Sequence, residues 1–116
     1  AAAAFNVSFG EYDIQDPWYP MGNGNMLDQV QVGILAGGLM GYSQIQGAYK
    51  FVTNNAAKTL HIQDHYGIEV GKPANCILLN QTNFYDALNE HAEVLYSIRK
   101  GKELVETQPK SVKLNF

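Results

Sequence analysis

The chain has 116 residues, 46% of them hydrophobic and 16% charged, with a formal net charge of -3. Its Lys and Arg residues are scattered and form no basic stripe, which argues against a nucleic-acid binder. A lone cysteine, Cys76, rules out an internal disulfide framework and fits a reducing, cytoplasmic compartment. The longest apolar run, Val30–Tyr42, carries Gln31 and four glycines. It falls short of the ~20 apolar residues a bilayer span requires, so a soluble protein is expected. The first residue is Ala rather than Met, and "AAAAF" has neither a basic segment nor a long apolar one. The expectation is a processed chain or one lacking its true start, with no signal peptide. Low charge also fits a piece of a larger body, part of whose surface is normally covered.

In chain order, Phe5–Phe9 is rich in strand formers and predicts a short buried strand ending at Gly10. Glu11–Asn25 holds two prolines, three acids and the turn cluster Gly22-Asn23-Gly24-Asn25, which reads as loop. Asn23 or Asn25 is positioned to cap the next element. Leu27, Val30, Ile34, Leu35 and Leu39 recur at helical spacing and predict a helix over Met26–Met40. Its glycines each cost about 1 kcal/mol of helix propensity, so close backbone packing is expected there. A second helix is predicted from a Ser43 cap through Tyr49 and Phe51 towards Ala57, with a break near Tyr49.

The character of the chain changes at Ile68. A glycine-punctuated turn leads into a predicted strand over Asn75–Leu79. "YDALNE" (85–90) reads as a helical turn, and "EVLYSIRKGKELVET" (93–107) as two strands joined at Lys100-Gly101-Lys102. The tail "SVKLNF" (111–116) alternates like an edge strand. The lone first strand has no candidate partner before residue 74, so the sheet it belongs to is mostly missing from the chain.

The acids of the loop admit two readings. At the mouth of a buried strand, Asp13 and Asp16 stand where barrel enzymes keep catalytic groups; equally, Asp before Pro is turn chemistry. Trp18 and Tyr19 could floor a pocket for a flat ligand or anchor the loop. His61 and His65 have the i, i+4 spacing of zinc ligands on a helix. Asp64, Tyr66 and Gly67 mark a helix end there, and no third ligand lies nearby. His91 reads as a surface residue, and Cys76 as a small buried hydrophobe. "GNGNM" lacks the third glycine of a dinucleotide fingerprint and the lysine of a P-loop.

Taken together, "FGEYDIQDPWYPMGNGNML", "GLMGYSQI", "VTNNAAKTLHIQDHYGIEVGKPANCILL" and "YSIRKGKELVETQP" resemble the C-terminal quarter of bacterial cytosine deaminases, of the amidohydrolase superfamily. The likeness runs from about Asn6 to Pro109. "DPWYP" with "GNxNML" is specific to that branch, whereas "GIxxGxxAN" is shared by many amidohydrolases. The resemblance implies an α/β fold: the C-terminal fragment of a (β/α)8 TIM barrel. Residues 1–67 would supply strand eight (Val7–Phe9), the active-site loop and the helices after it. Residues 68–116 would form part of a small β-sandwich. A whole barrel needs roughly 250 residues, so the chain cannot contain one.

The chemistry implied is hydrolysis of cytosine to uracil and ammonia. One divalent metal, iron or zinc, would make hydroxide available at neutral pH, with histidine ligands upstream of this chain. The implied partners are a pyrimidine substrate, the missing N-terminal part of the same protein and further copies in a homo-oligomer. The family pattern after the strand is glycine, any residue, aspartate, often with a second aspartate following. Tyr12 occupies the column of the metal-side aspartate. Asp13 matches the second aspartate, a catalytic and substrate-binding candidate, and Trp18 matches the aromatic that packs on the pyrimidine. A tyrosine has a reference pKa of about 10 against ~3.9 for Asp and is a poor substitute. Three readings stay open: Asp13 shifts to serve the metal, the parent is a catalytically impaired relative that binds a base or a protein partner, or residue 12 is misassigned. Another cyclic amidine or amide, such as an oxidised pyrimidine, a triazine or creatinine, is the alternative substrate. Isolated residues 1–116 are expected to be inactive.

Overall fold

The computed structural model describes residues 5–11 and 13–116. Residue 12, to which the sequence assigns the metal-side column, lies outside them.

Two regions follow one another. The first is helical: α1 (Met26–Gly37), α2 (Tyr42–Gln46), a 3-10 turn (Ala48–Val52) and α3 (Asn54–Thr59). A second 3-10 turn spans Gln63–His65, and β1 is Cys76–Leu79. The chain then forms α4 (Phe84–Asn89), β2 (Val94–Arg99) and β3 (Lys102–Glu106).

Asn25 caps α1, its side-chain oxygen accepting from the Leu27 N–H at 3.1 Å, which satisfies one orphan donor of the first turn. The helix ends earlier than its apolar spacing predicts. Gly38 takes the left-handed conformation (φ 65°), and its N–H and that of Leu39 turn back to the Ile34 and Leu35 carbonyls. Leu39 thus keeps its core contact from beyond the helix, as in a Schellman ending. The close packing expected of the glycines is seen at Gly33, where the Phe9 ring occupies the space a Cβ would need.

The predicted second helix is divided. It starts from Gly41, not Ser43: the Gly41 N–H donates to Gln44 Oε1 at 2.9 Å. It breaks at Gly47 and again at Thr53, whose hydroxyl donates to the Tyr49 carbonyl at 2.8 Å and competes with the helical ladder.

Val30, Ile34, Ala48 and Leu88 form the buried core, with Phe9, Leu27, Phe51 and Phe84 packed around it. Leu88 belongs to α4, so the helix lying between two strands in sequence docks onto the helical layer. Two hydrogen bonds fix it there. Gln46 Oε1 accepts from the Tyr85 N–H at 2.8 Å, and Gln31 Nε2 donates to the Leu88 carbonyl at 3.1 Å. The Tyr42 and Tyr85 rings, 4.8 Å apart, add an aromatic contact.

Residues 5–11 do not form the expected strand. A strand needs a neighbour to receive its backbone groups, and among the described residues no strand lies beside this segment. Its polar groups turn to the helices instead. Asn55 Nδ2 donates to the Val7 carbonyl at 2.8 Å, Asn6 Nδ2 to the Asn55 carbonyl at 2.9 Å, and the Phe9 N–H to the Phe51 carbonyl at 3.0 Å. The Phe9 ring stacks on Phe51 at 4.7 Å, whereas Phe5 and Val7 stay exposed. "Buried" holds in part for Phe9 and fails for Phe5 and Val7.

The β region is a three-stranded antiparallel sheet in the order β1-β2-β3. Cys76 faces Ile98, Leu78 faces Tyr96, and Ser97 faces Val105. Lys100 and Gly101, at φ 51° and 75°, make the two-residue turn between β2 and β3, the left-handed pair that suits a tight hairpin. The Lys100 N–H donates to Asn75 Oδ1 at 2.8 Å, which ties the turn to the start of β1. No strand forms over 111–116, where every residue is exposed. After the Thr107 N–H bonds the Leu95 carbonyl, Pro109 cannot continue a ladder, and Lys110 bonds Glu93 instead.

No residue of the sheet is buried on either face. The chain exposes 8851 Å², where a folded monomer of this mass, 12.8 kDa, exposes about 6,300 Å². Its radius of gyration is 15.7 Å, against about 13 Å for a compact domain of this length. Among the described residues no helix is long and apolar enough to cross a membrane.

Candidate active-site loop

The segment from Gly10 to Asn25 leaves the Phe9 anchor and returns to the cap of α1. Its shape is set by Asp16, whose Oδ1 accepts from the backbone N–H groups of Trp18 at 2.9 Å and Tyr19 at 2.8 Å. This is the turn chemistry expected of Asp before Pro. Gln15 precedes it in the left-handed region (φ 51°). The Gly22 N–H donates to the Tyr19 carbonyl at 3.1 Å. Gly22 is buried, and a Cβ there would run into the Asp13 carbonyl oxygen and the Tyr19 ring. Ile14 lies against Gly24, itself at φ 75°. The loop closes at Asn23, which accepts from the Asn25 N–H at 2.8 Å and donates to Asp28 at 2.9 Å.

Trp18 stands out from this frame with 78% of its surface exposed, so it is not an anchor of the loop. Partial desolvation, the neighbouring Asp16 carboxyl and the charge of Glu11 all push Asp13 above the ordinary carboxylate value. Desolvation also works upward on Asp16. It is outweighed by the Tyr19 N–H, the neighbouring Asp13 carboxyl and the Trp18 N–H, which hold Asp16 below the ordinary value. Of the pair, Asp13 is the carboxyl that keeps a proton longer.

Glu11 is a residue the sequence reading passed over, because the family pattern allows any residue there. Both of its carboxylate oxygens are shut off from solvent and have no hydrogen-bond partner among the described residues. A buried carboxylate is costly without a partner. Nothing in the local sequence signals this, since burial depends on how the loop folds back.

The histidines do not assemble. His61 follows α3 in the left-handed region (φ 56°) and His65 lies in the separate Gln63–His65 turn. Their i, i+4 spacing therefore never falls on one helix face. His91, exposed, follows α4. Cys76 is a free, half-buried thiol at the start of β1. Among the described residues no three His, Cys, Asp or Glu side chains gather as a metal site. The carboxylates of Glu11 and Asp13 alone do not fit a resident metal.

The loop forms an open wall, not a pocket. A groove of about 410 Å³ is lined by Gly67–Val70 and Lys72–Cys76, and a cleft of about 30 Å³ lies between α1 and the end of α4. Neither is lined by Asp13 or Trp18.

Residues 3–105 match the amidohydrolase family. The chain belongs to this family. It is 30% identical over 106 residues to the N-isopropylammelide isopropyl amidohydrolase of Pseudomonas sp. (strain ADP), covering 91% of this chain and 26% of that protein. The crystal structure of 5-methylcytosine deaminase from Klebsiella pneumoniae liganded with 5-fluorocytosine matches with a TM-score of 0.88 and 40% identity, over 94% of this chain and 26% of that one. The same deaminase liganded with phosphonocytosine matches with a TM-score of 0.86 and 40% identity, over 94% and 27%. The chain thus spans about a quarter of the length of these relatives. The likeness to cytosine deaminases read from the sequence is borne out by the amidohydrolase match and by these deaminase structures.

Proposed function

We propose that this chain is the C-terminal part of a cytosine deaminase-like hydrolase, and that the Gly10–Asn25 loop forms one wall of its pyrimidine pocket. The observation that carries the reading is the 0.88 TM-score to a deaminase holding 5-fluorocytosine, combined with an exposed Trp18 and, on the same loop, an Asp13 carboxyl pushed above its ordinary value. Trp18 offers its indole face to a flat base. Asp13 offers a carboxyl that donates to or accepts from the edge of the ring. The overall reaction is cytosine plus water to uracil plus ammonia. In the whole protein a divalent metal, iron or zinc with histidine ligands upstream of residue 1, would supply hydroxide.

On this reading Val7–Phe9 gains its missing neighbour from the upstream part and becomes strand eight of a (β/α)8 barrel. Residues 1–67 complete the barrel, and 68–116 contribute to a β-sandwich whose uncovered sheet meets the rest of the protein. The protein works in the cytoplasm as a homo-oligomer, and the isolated 116 residues are inactive.

The test uses the full-length polypeptide that carries this sequence, with metal content measured and cytosine loss followed by absorbance. Asp13→Ala and Trp18→Ala should each lower kcat/KM by about tenfold to a hundredfold, the effect of losing a positioning contact. Turnover unchanged in both variants, or cytosine turnover by the purified 116-residue chain, would overturn the reading.

A second reading is favoured by Tyr12: a catalytically impaired relative that keeps the pocket and binds a base or a protein partner. A full-length protein without metal or turnover that gains activity on Tyr12→Asp would establish it. The N-isopropylammelide relative favours a variant in which the substrate is another cyclic amidine or amide. A panel of such compounds beside cytosine separates these.

A further inference from the structure

We infer that Gly22 is a positioning residue: with Gly24 it clasps the neck of the loop and so sets where Trp18 stands relative to Asp13. The role in substrate binding rests on the pocket reading above, whereas the clasp itself is backbone geometry. Residues 15–21 form a lobe with its own stiffness. Pro17 and Pro20 fix φ, and one oxygen of Asp16 receives the N–H groups of Trp18 and Tyr19 at 2.9 and 2.8 Å. Among the described residues the lobe's hydrogen bonds run only within itself and to Gly22, whose N–H donates to the Tyr19 carbonyl at 3.1 Å. A lobe tied in this way can swing only as a unit, about its base.

At that base the two arms of the loop touch. Asp13 and Ile14 stand on the arm that enters, Gly22 and Gly24 on the arm that leaves. Gly22 is buried, and an added Cβ would run into the Asp13 carbonyl oxygen and lie 2.7 Å from the Tyr19 ring. Side chains do not approach so closely, so only glycine lets the turn after Tyr19 lie against the Asp13 backbone. At Gly24 a Cβ would come within 3.1 Å of the Ile14 side chain. Asn23, between the two glycines, donates to Asp28 of α1 at 2.9 Å, and Asn25 caps the same helix. The clasp thus fastens Asp13, the Trp18 lobe and α1 to one another. Two groups that grip one flat ligand need a fixed spacing, and a displacement of about 1 Å can cost about a hundredfold in rate.

Gly22→Ala opens the clasp and leaves both substrate-facing side chains in place. Gly24→Ala is the milder change, since its methyl meets the flexible end of Ile14. Gly37→Ala, whose methyl would lie 3.6 Å from Leu39, is the control for an added methyl away from the loop. Trp18 is the only tryptophan of the chain, so its fluorescence reports on the lobe directly. In the 116-residue chain, Gly22→Ala should speed the local depolarisation of Trp18, Gly24→Ala should do so less, and Gly37→Ala should leave it at wild type. In the full-length protein, Gly22→Ala should raise KM for cytosine by about tenfold and Gly24→Ala by about threefold, with kcat reduced by less. A glycine that only stabilises the fold would lower the active fraction, and so kcat, with KM at wild type. That result overturns the positioning role, as does unchanged depolarisation in Gly22→Ala. Should Gly22→Ala fail to fold by circular dichroism, Gly24→Ala decides, and a wild-type KM there overturns the role. If depolarisation changes but the wild-type full-length protein leaves cytosine intact, the clasp stands and the cytosine reading fails.

Discussion

The helical layer and the sheet of this chain are built to different standards of completeness. In the helical layer, Val30 and Ile34 of α1, Ala48 and Leu88 of α4 close a small core, and side-chain amides from Gln31 and Gln46 stitch the elements together. The sheet has sound ladders and a well-made turn but no buried side chain on either face. Hydrogen bonds can therefore be satisfied within a segment while its apolar surface still lacks a cover. The first is a property of the local backbone, and the second needs a second layer.

Stability measurements can break or sharpen this contrast. The largest effect belongs to the core. Leu88→Ala should cost about 2–5 kcal/mol, the range for deleting a buried leucine side chain, read from urea denaturation of the 116-residue chain. Gly33→Ala should follow at about 1–3 kcal/mol, because the new methyl meets the Phe9 ring and overpacks the site. A smaller loss at Leu88 than at the sheet would reverse the comparison.

Glu11 lies between the two extremes. Replacing a buried carboxylate that has no partner among the described residues with Met should stabilise the isolated chain by roughly 1–3 kcal/mol, the cost of an unsatisfied buried group. In the full-length protein the same Glu11→Met change should destabilise, if the upstream part supplies a partner for the carboxylate. Thermal melts of both forms check the change of sign. The smallest effect is expected in the sheet. Leu104 and Val105 are 56% and 50% exposed, so Leu104→Ala and Val105→Ala should each stay within about 0.5 kcal/mol in the isolated chain. Larger losses in the full-length protein would mean that the sheet is covered there.

Much of the helical layer was legible because its signals are local. The apolar spacing of Leu27, Val30 and Ile34, the Asn25 cap and the Lys100-Gly101 turn each depend on a few neighbouring residues. The expected strands at Phe5–Phe9 and 111–116 depended on partners, and alternation in a sequence does not supply a partner. The early end of α1 turned on Gly38, whose left-handed conformation outweighed the apolar spacing that runs on to Leu39. At the loop, the sequence displayed Asp13, Asp16 and Trp18, and the turn at Asp16 follows from its own chemistry. That Trp18 would stand in solvent, and that Glu11 would be sealed away without a partner among the described residues, are facts of three-dimensional closure. The resemblance named the loop's residues; only the folded arrangement shows Asp16 holding the backbone N–H groups of Trp18 and Tyr19.

The position of α4 bears on the order in which the chain assembles. β2 and β3 are joined by a two-residue turn and can zip on the microsecond scale of a hairpin. β1 and β2 have no such shortcut, since residues 80–93 pass through α4, which docks on α1 and α2. The first ladder of the sheet thus closes the loop of residues 80–93, at a greater entropy cost than the two-residue turn. The β2–β3 hairpin is the pairing the chain can make first, and β1 adds to it afterwards.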